Sequence, residues 1–197
     1  MVYCEDNFLP LELFDWLSEK AKLKSYQSLK LLTENNNSEP VKYYTHDKKA
    51  WDLTYRNLNG NLQIPIENIG HRIPEVIELI RNKLISQTSN HKLGLLDNVH
   101  FLFSTDGYEV PKHIDKKFKS THLIRLSKIY KAFIFCNTIW ETSWGGELCF
   151  DSGHFSPLPN RLILYSIDEV HWVKKVTNNE NNIRINFGMR FGDEKNI

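Results

Sequence analysis

The sequence predicts a mainly β protein, an antiparallel barrel or sandwich with helices packed outside it. From Asn98 onward, short apolar runs alternate with turn-forming residues; before that point the apolar residues recur at helical spacing. At 197 residues with 41% hydrophobic content, the chain is expected to form a single domain over 1–197, with 1–97 as helical support and 98–192 as the β core.

Leu13, Phe14, Trp16 and Leu17 follow Pro10 at helical spacing, and proline suits a first helical turn, which predicts a helix over about residues 10–32. The polar run 35–40 reads as a loop, because its asparagines and serine compete for backbone hydrogen bonds and Pro40 ends regular pairing. Ile73, Ile77, Ile80 and Leu84 behind Pro74 form the clearest amphipathic stripe in the chain. The strand-like runs are 99–103, 124–136, 148–150, 162–165, 170–176 and 183–191. Between the last two, the polar segment 177–182 reads as a hairpin connection. Symmetric pairing about it sets His171 opposite Gly188 and leaves Arg184 roughly 13 Å further along the same face.

Lysines and arginines number 25 against 24 acids, so a formal charge of +1 leaves no nucleic-acid or anionic-membrane footprint to expect. The first residues lack a basic start followed by an apolar stretch, and no later segment is apolar enough to span a bilayer; a cytoplasmic location is expected. Cys4, Cys136 and Cys149 lack zinc-type pair spacing and read as buried free thiols.

Alternation along a strand projects His113 and Asp115 to one side while Ile114 points away. Joined by His171, two imidazoles and a carboxylate suit one face of Fe(II), leaving the opposite face open for a cosubstrate and dioxygen. The same set also suits a zinc hydrolase with an open water position. A surface loop is the plain reading of His113 and Asp115, since Lys116, Lys117 and Lys119 follow at once. Arg184 offers a planar fork for a carboxylate, with a surface ion pair as its plain alternative. Lys131 shares strand parity with Phe133 and Phe135, and is either an inward cation or an exposed edge residue.

These residues, with Phe135-Cys136-Asn137, Trp140, Gly145-Gly146-Glu147-Leu148 and Pro159-Asn160-Arg161-Leu162 in order between them, resemble the Fe(II)- and 2-oxoglutarate-dependent oxygenases, in the branch that includes prolyl hydroxylases. The resemblance spans about 98–191. It implies a double-stranded β-helix, or jelly roll, with Fe(II) held by His113, Asp115 and His171 and with Arg184 on the far carboxylate of 2-oxoglutarate. Lys131 is a candidate second cation for that carboxylate. Dioxygen completes the reaction, succinate and carbon dioxide leave, and a C–H bond of a small metabolite or peptidyl residue is hydroxylated. Phe103 and Phe135 fall where such enzymes have tyrosines bound to 2-oxoglutarate. Asn160 takes a turn position that relatives fill with glycine, and asparagine tolerates the left-handed conformation. Loops 140–144 and 106–109 are candidates to face substrate, and residues 51–56 to form a lid. A non-catalytic jelly-roll binding module is the remaining alternative.

Overall fold

A computed structural model of the chain describes residues 1–34, 50–54, 71–96, 99–104, 106–115, 128–177 and 183–193. The loop read at 35–40, the lysines after Asp115, the start of the run at 124, most of the connection 177–182 and the end of the lid candidate at 55–56 lie outside them.

Strand β1 (Val2–Glu5) precedes helix α1 (Leu11–Glu34), whose N-terminal turn is closed by the Pro10 carbonyl accepting from Leu13 and Phe14. Leu13, Phe14, Leu17 and Ala21 form its buried face. After β2 (Ala50–Thr54), helix α2 (Ile73–Thr88) carries Pro74 in its first turn, where the missing N–H costs nothing. It ends at Ser89, which takes a left-handed φ of 54° and donates its N–H to Ile85 at 2.8 Å. Its buried stripe is Ile73, Val76, Ile80 and Leu84; Val76 takes the place expected for Ile77, which is only partly covered.

The remaining strands are β3 (Leu93–Leu95), β4 (His100–Ser104), β5 (Val110–His113), β6 (Ile129–Phe135), β7 (Leu148–Phe150), β8 (Gly153–Phe155), β9 (Leu162–Ser166), β10 (His171–Val173) and β11 (Arg184–Asp193). They form two antiparallel sheets, a large one in the order β1-β9-β6-β11-β4-β2, with β3 also on β11, and a small one in the order β5-β10-β7-β8. This agrees with the mainly β expectation and is consistent with a jelly roll.

Alternation on β11 divides the large sheet's two faces. Ile185, Phe187, Met189 and Phe191 join Phe101, Phe103, Ala132, Ile134 and Leu164 in the core beneath the helices. Arg184, Asn186, Gly188 and Arg190 fall on the other face by parity. There Phe135, Ile163 and Tyr165 pack with Leu148 and Phe150 of the small sheet. Apolar residues thus cover the outer face, while the inner face carries most of the charge.

The expected hairpin between the last two runs is not formed. β10 pairs with β5 and β7, setting His171 opposite His113 and Phe150, whereas Gly188 on β11 lies opposite His100 and Phe133. The chain crosses from the small sheet to the large one between these strands. Pattern reveals which face a residue takes and leaves its partner strand undetermined. Strand β1 was also absent from the expectation; its four residues pair with β9.

Candidate metal centre

His113 ends β5 and His171 opens β10, and their direct pairing sets the imidazole centroids 4.3 Å apart. Asp115 follows two residues after His113, and one ligand atom from each of the three residues lies within 4.8 Å of the others. The imidazoles are oriented alike: Nδ1 of His113 is 2.8 Å from the Pro111 carbonyl, and Nδ1 of His171 is 2.9 Å from that of Glu169. A carbonyl only accepts, so each Nδ1 carries the proton and each Nε2 presents a lone pair. Those Nε2 atoms lie 3.7 and 3.8 Å from Asp115 Oδ1 and Oδ2.

Lys131 Nζ comes within 2.8 Å of Asp115 Oδ2 and forms an ion pair with it. Burial raises the Asp115 carboxyl, yet the Lys131 ammonium, with His171 and His113 behind it, outweighs that and holds it below its ordinary range. Burial pulls His171 the other way, keeping its imidazole neutral. A carboxylate held ionised and two imidazole Nε2 atoms converging on one point are the donor set a divalent cation takes, so the residues fit the metal. Tyr165, whose phenol stands 3.4 Å from His171 Nε2, belongs to the centre and was hidden in an apolar run.

Arg184, at the start of β11, is buried on the same face of the large sheet as Lys131. It is 3% exposed, donates from Nε to the Gly146 carbonyl at 3.0 Å and from one terminal nitrogen to Asn186 Oδ1 at 3.2 Å, and stacks over Phe135 with its central carbon 4.9 Å from the ring. Burial brings its pKa down to about 10, so it remains a cation near neutrality. Among the described residues no carboxylate lies within ion-pair distance of it; Tyr108, Tyr165 and Glu147 act on it through space. Ser104, directly opposite it on β4, has a buried hydroxyl without a partner. A desolvated guanidinium beside a spare hydroxyl is a ready site for an incoming carboxylate.

Neighbouring backbone holds this end in place. Asn137 donates to the Ile183 carbonyl at 2.6 Å and accepts from the Ile185 N–H at 2.8 Å, so it grips the start of β11 on both sides of Arg184. Gly145 and Gly146 take φ of 68° and 75°; a Cβ on the first would meet the Lys175 carbonyl at 2.1 Å and on the second the Arg184 side chain at 3.1 Å.

Several expectations are corrected. Phe103 packs in the core beneath the helices, on the face away from the metal, so it cannot stand where a 2-oxoglutarate hydroxyl donor would; Ser104 occupies the inner side. Phe135 does lie on the inner face, under Arg184. Lys131 is inward, but it sits four residues from Phe135 along β6, at the Asp115 end, and is therefore badly placed to share a far carboxylate with Arg184. Loops 140–144 and 106–109 lie at the Arg184 end. Trp140 is buried with its indole donating to the Gly145 carbonyl at 3.0 Å, while Gly107 and Tyr108 bond to Val176. Cys136 and Cys149 are buried free thiols as expected, and Cys4 is half-buried.

Residues 99–189 match the 2OG-Fe(II) oxygenase superfamily. Among solved structures, the chain is similar to a prolyl-4-hydroxylase from Pseudomonas putida, at 15% identity and a TM-score of 0.61, over 98% of this chain and 92% of that one. It is also similar to the 2-oxoglutarate complex of a viral collagen prolyl hydroxylase from Paramecium bursaria Chlorella virus-1, at 14% identity and a TM-score of 0.65, over 98% and 96% of the two chains. A third is a prolyl hydroxylase from Trichoplax adhaerens in complex with a hypoxia inducible factor oxygen degradation domain peptide, at 17% identity and a TM-score of 0.62, over 98% and 84%. At these identities the likeness establishes a shared fold. No curated protein sequence gives a significant match.

Proposed function

We propose that the chain is a 2OG-Fe(II) oxygenase that uses Fe(II), 2-oxoglutarate and dioxygen to hydroxylate an unactivated C–H bond, with residues 1–197 acting as one unit. Its substrate is a small metabolite or a peptidyl residue. When bound, Fe(II) and 2-oxoglutarate supply a two-electron oxidation in which one oxygen atom of O2 enters succinate, carbon dioxide leaves, and the other atom is inserted into the substrate C–H bond.

His113, Asp115 and His171 hold the metal from one side, and the carbonyls of Pro111 and Glu169 keep both imidazoles turned toward it. Arg184 binds the far carboxylate of 2-oxoglutarate, and the Ser104 hydroxyl donates to the same group. Phe135 flanks the guanidinium and excludes water from that pair, which strengthens it. The buried guanidinium without a carboxylate partner among the described residues carries this reading, because a zinc hydrolase built on the same three ligands would leave it without a task.

The test is product stoichiometry. Full-length protein given Fe(II), 2-oxoglutarate and dioxygen should release succinate and carbon dioxide in equal amounts, and should form none without 2-oxoglutarate. Asp115→Ala should abolish this release. Succinate formed at the same rate by that variant would remove Asp115 from the metal centre.

A further inference from the structure

The three metal-ligating side chains are not held alike. Each imidazole is turned by a carbonyl two residues before it, that of Pro111 for His113 and that of Glu169 for His171. Asp115 lies beyond the end of β5 and is held from the other sheet, where Lys131 of β6 places its ammonium 2.8 Å from Oδ2. Oδ1 stands 3.7 Å from the His113 Nε2. The carboxylate ligand is therefore tied across the two sheets by a cation. That ammonium also lies 5.5 Å from the ring centroid of Phe133, two residues along the same face of β6. The Lys131 and Asp115 side chains are each only 19% exposed. Charges so largely withdrawn from water act strongly on their neighbours.

The choice of a cation for this task is informative. A divalent metal on one carboxylate and two imidazoles already carries net positive charge, so a neutral donor would orient Asp115 with less repulsion than a lysine does. A fixed positive charge beside the ligand opposes any step that makes the metal more positive. The loss of one electron from Fe(II) to give Fe(III) is such a step; dioxygen takes the electron and becomes superoxide, and no C–H bond is oxidised.

We propose that Lys131 is a positioning residue that fixes Asp115 for the metal and, through its charge, keeps the resting iron ferrous. This rests on the iron site of the oxygenase reading and adds to it the residue that sets the metal's potential. Orientation and repulsion change metal affinity in opposite directions, so affinity alone does not identify the role. The potential does, because the repulsion grows with the charge on the iron.

The full chain loaded with Fe(II), without 2-oxoglutarate, is titrated anaerobically with redox mediators while the Fe(III) signal is followed by electron paramagnetic resonance. Lys131→Met and Lys131→Gln should each lower the midpoint potential by at least about 59 mV, a tenfold rise in Fe(III) over Fe(II) at a fixed solution potential. Lys131→Arg keeps the charge and should keep the potential within about half that shift of the parent. Glutamine retains a donor and loses the charge, so agreement of the glutamine variant with the methionine variant separates charge from orientation. An unchanged or raised potential in the two neutral variants, an equal fall in Lys131→Arg, or loss of iron binding in both neutral variants overturns the inference and leaves the oxygenase reading standing. Failure of the unsubstituted chain to bind Fe(II) overturns both together.

Discussion

At the scale of single residues, Arg184 is held at a cost that the proposed dicarboxylate would relieve. A guanidinium 3% exposed and lacking a carboxylate partner among the described residues has lost its hydration without a full replacement. Arg184→Met should therefore leave the ligand-free protein as stable as the parent or more so, since apolar replacements of poorly compensated buried charges are often neutral or stabilising. The same variant should weaken 2-oxoglutarate binding by at least about a hundredfold, the order expected when one partner of a buried charge pair is removed. Thermal melts and calorimetric titration check both halves. A large fall in melting temperature with unchanged affinity would make Arg184 a structural residue. His113, Asp115, His171 and Arg184 were all legible as residue types in order along the chain. Tyr165 and Ser104 were not, because a tyrosine inside an apolar strand and a serine at a strand end look like ordinary packing until a fold brings them beside charge.

Among the elements, the Gly145-Gly146 turn links fold to site. Gly145→Ala forces a Cβ against the Lys175 carbonyl in a left-handed conformation, and a loss of about 2–4 kcal/mol in urea unfolding is expected. Gly146→Ala pushes instead on Arg184, so it should raise the dissociation constant for 2-oxoglutarate more than it lowers stability. Equal effects of the two substitutions on cosubstrate affinity would break that distinction. Asn160 shows how far local chemistry could be read: it takes the expected left-handed φ of 55°, but its side chain also accepts from the Leu9 N–H at 2.9 Å and donates to the Leu9 carbonyl at 2.8 Å. Asn160→Gly would keep the angle and lose both bonds, at about 1–3 kcal/mol. Helices and most strands were legible from period alone. The partner of β10 was not, since a strand's own alternation is the same whichever strand lies beside it.

For the whole molecule, the two sheets divide the work. The large sheet covers the helical core with one face and carries Arg184, Lys131 and Arg190 on the other; the small sheet brings His113 and His171 together. A metal held by His113, Asp115 and His171, which come from two separate stretches of the chain, would bind only the folded form. Divalent metal at a hundred times its dissociation constant should add about 2.7 kcal/mol of stability, or roughly 5–10 °C in melting temperature for a chain of this size. A chelator should reverse the shift, and an Asp115→Ala protein should show none of it. The proposed pairing of one metal with one 2-oxoglutarate between the two sheets underlies these effects. Its most direct test is anaerobic calorimetric titration of 2-oxoglutarate into the Fe(II)-loaded and the metal-free chain. One cosubstrate per chain is expected in the loaded protein, with at least about a hundredfold weaker binding without metal. Folded, iron-loaded protein that binds no 2-oxoglutarate, or binds it equally well without iron, would contradict it.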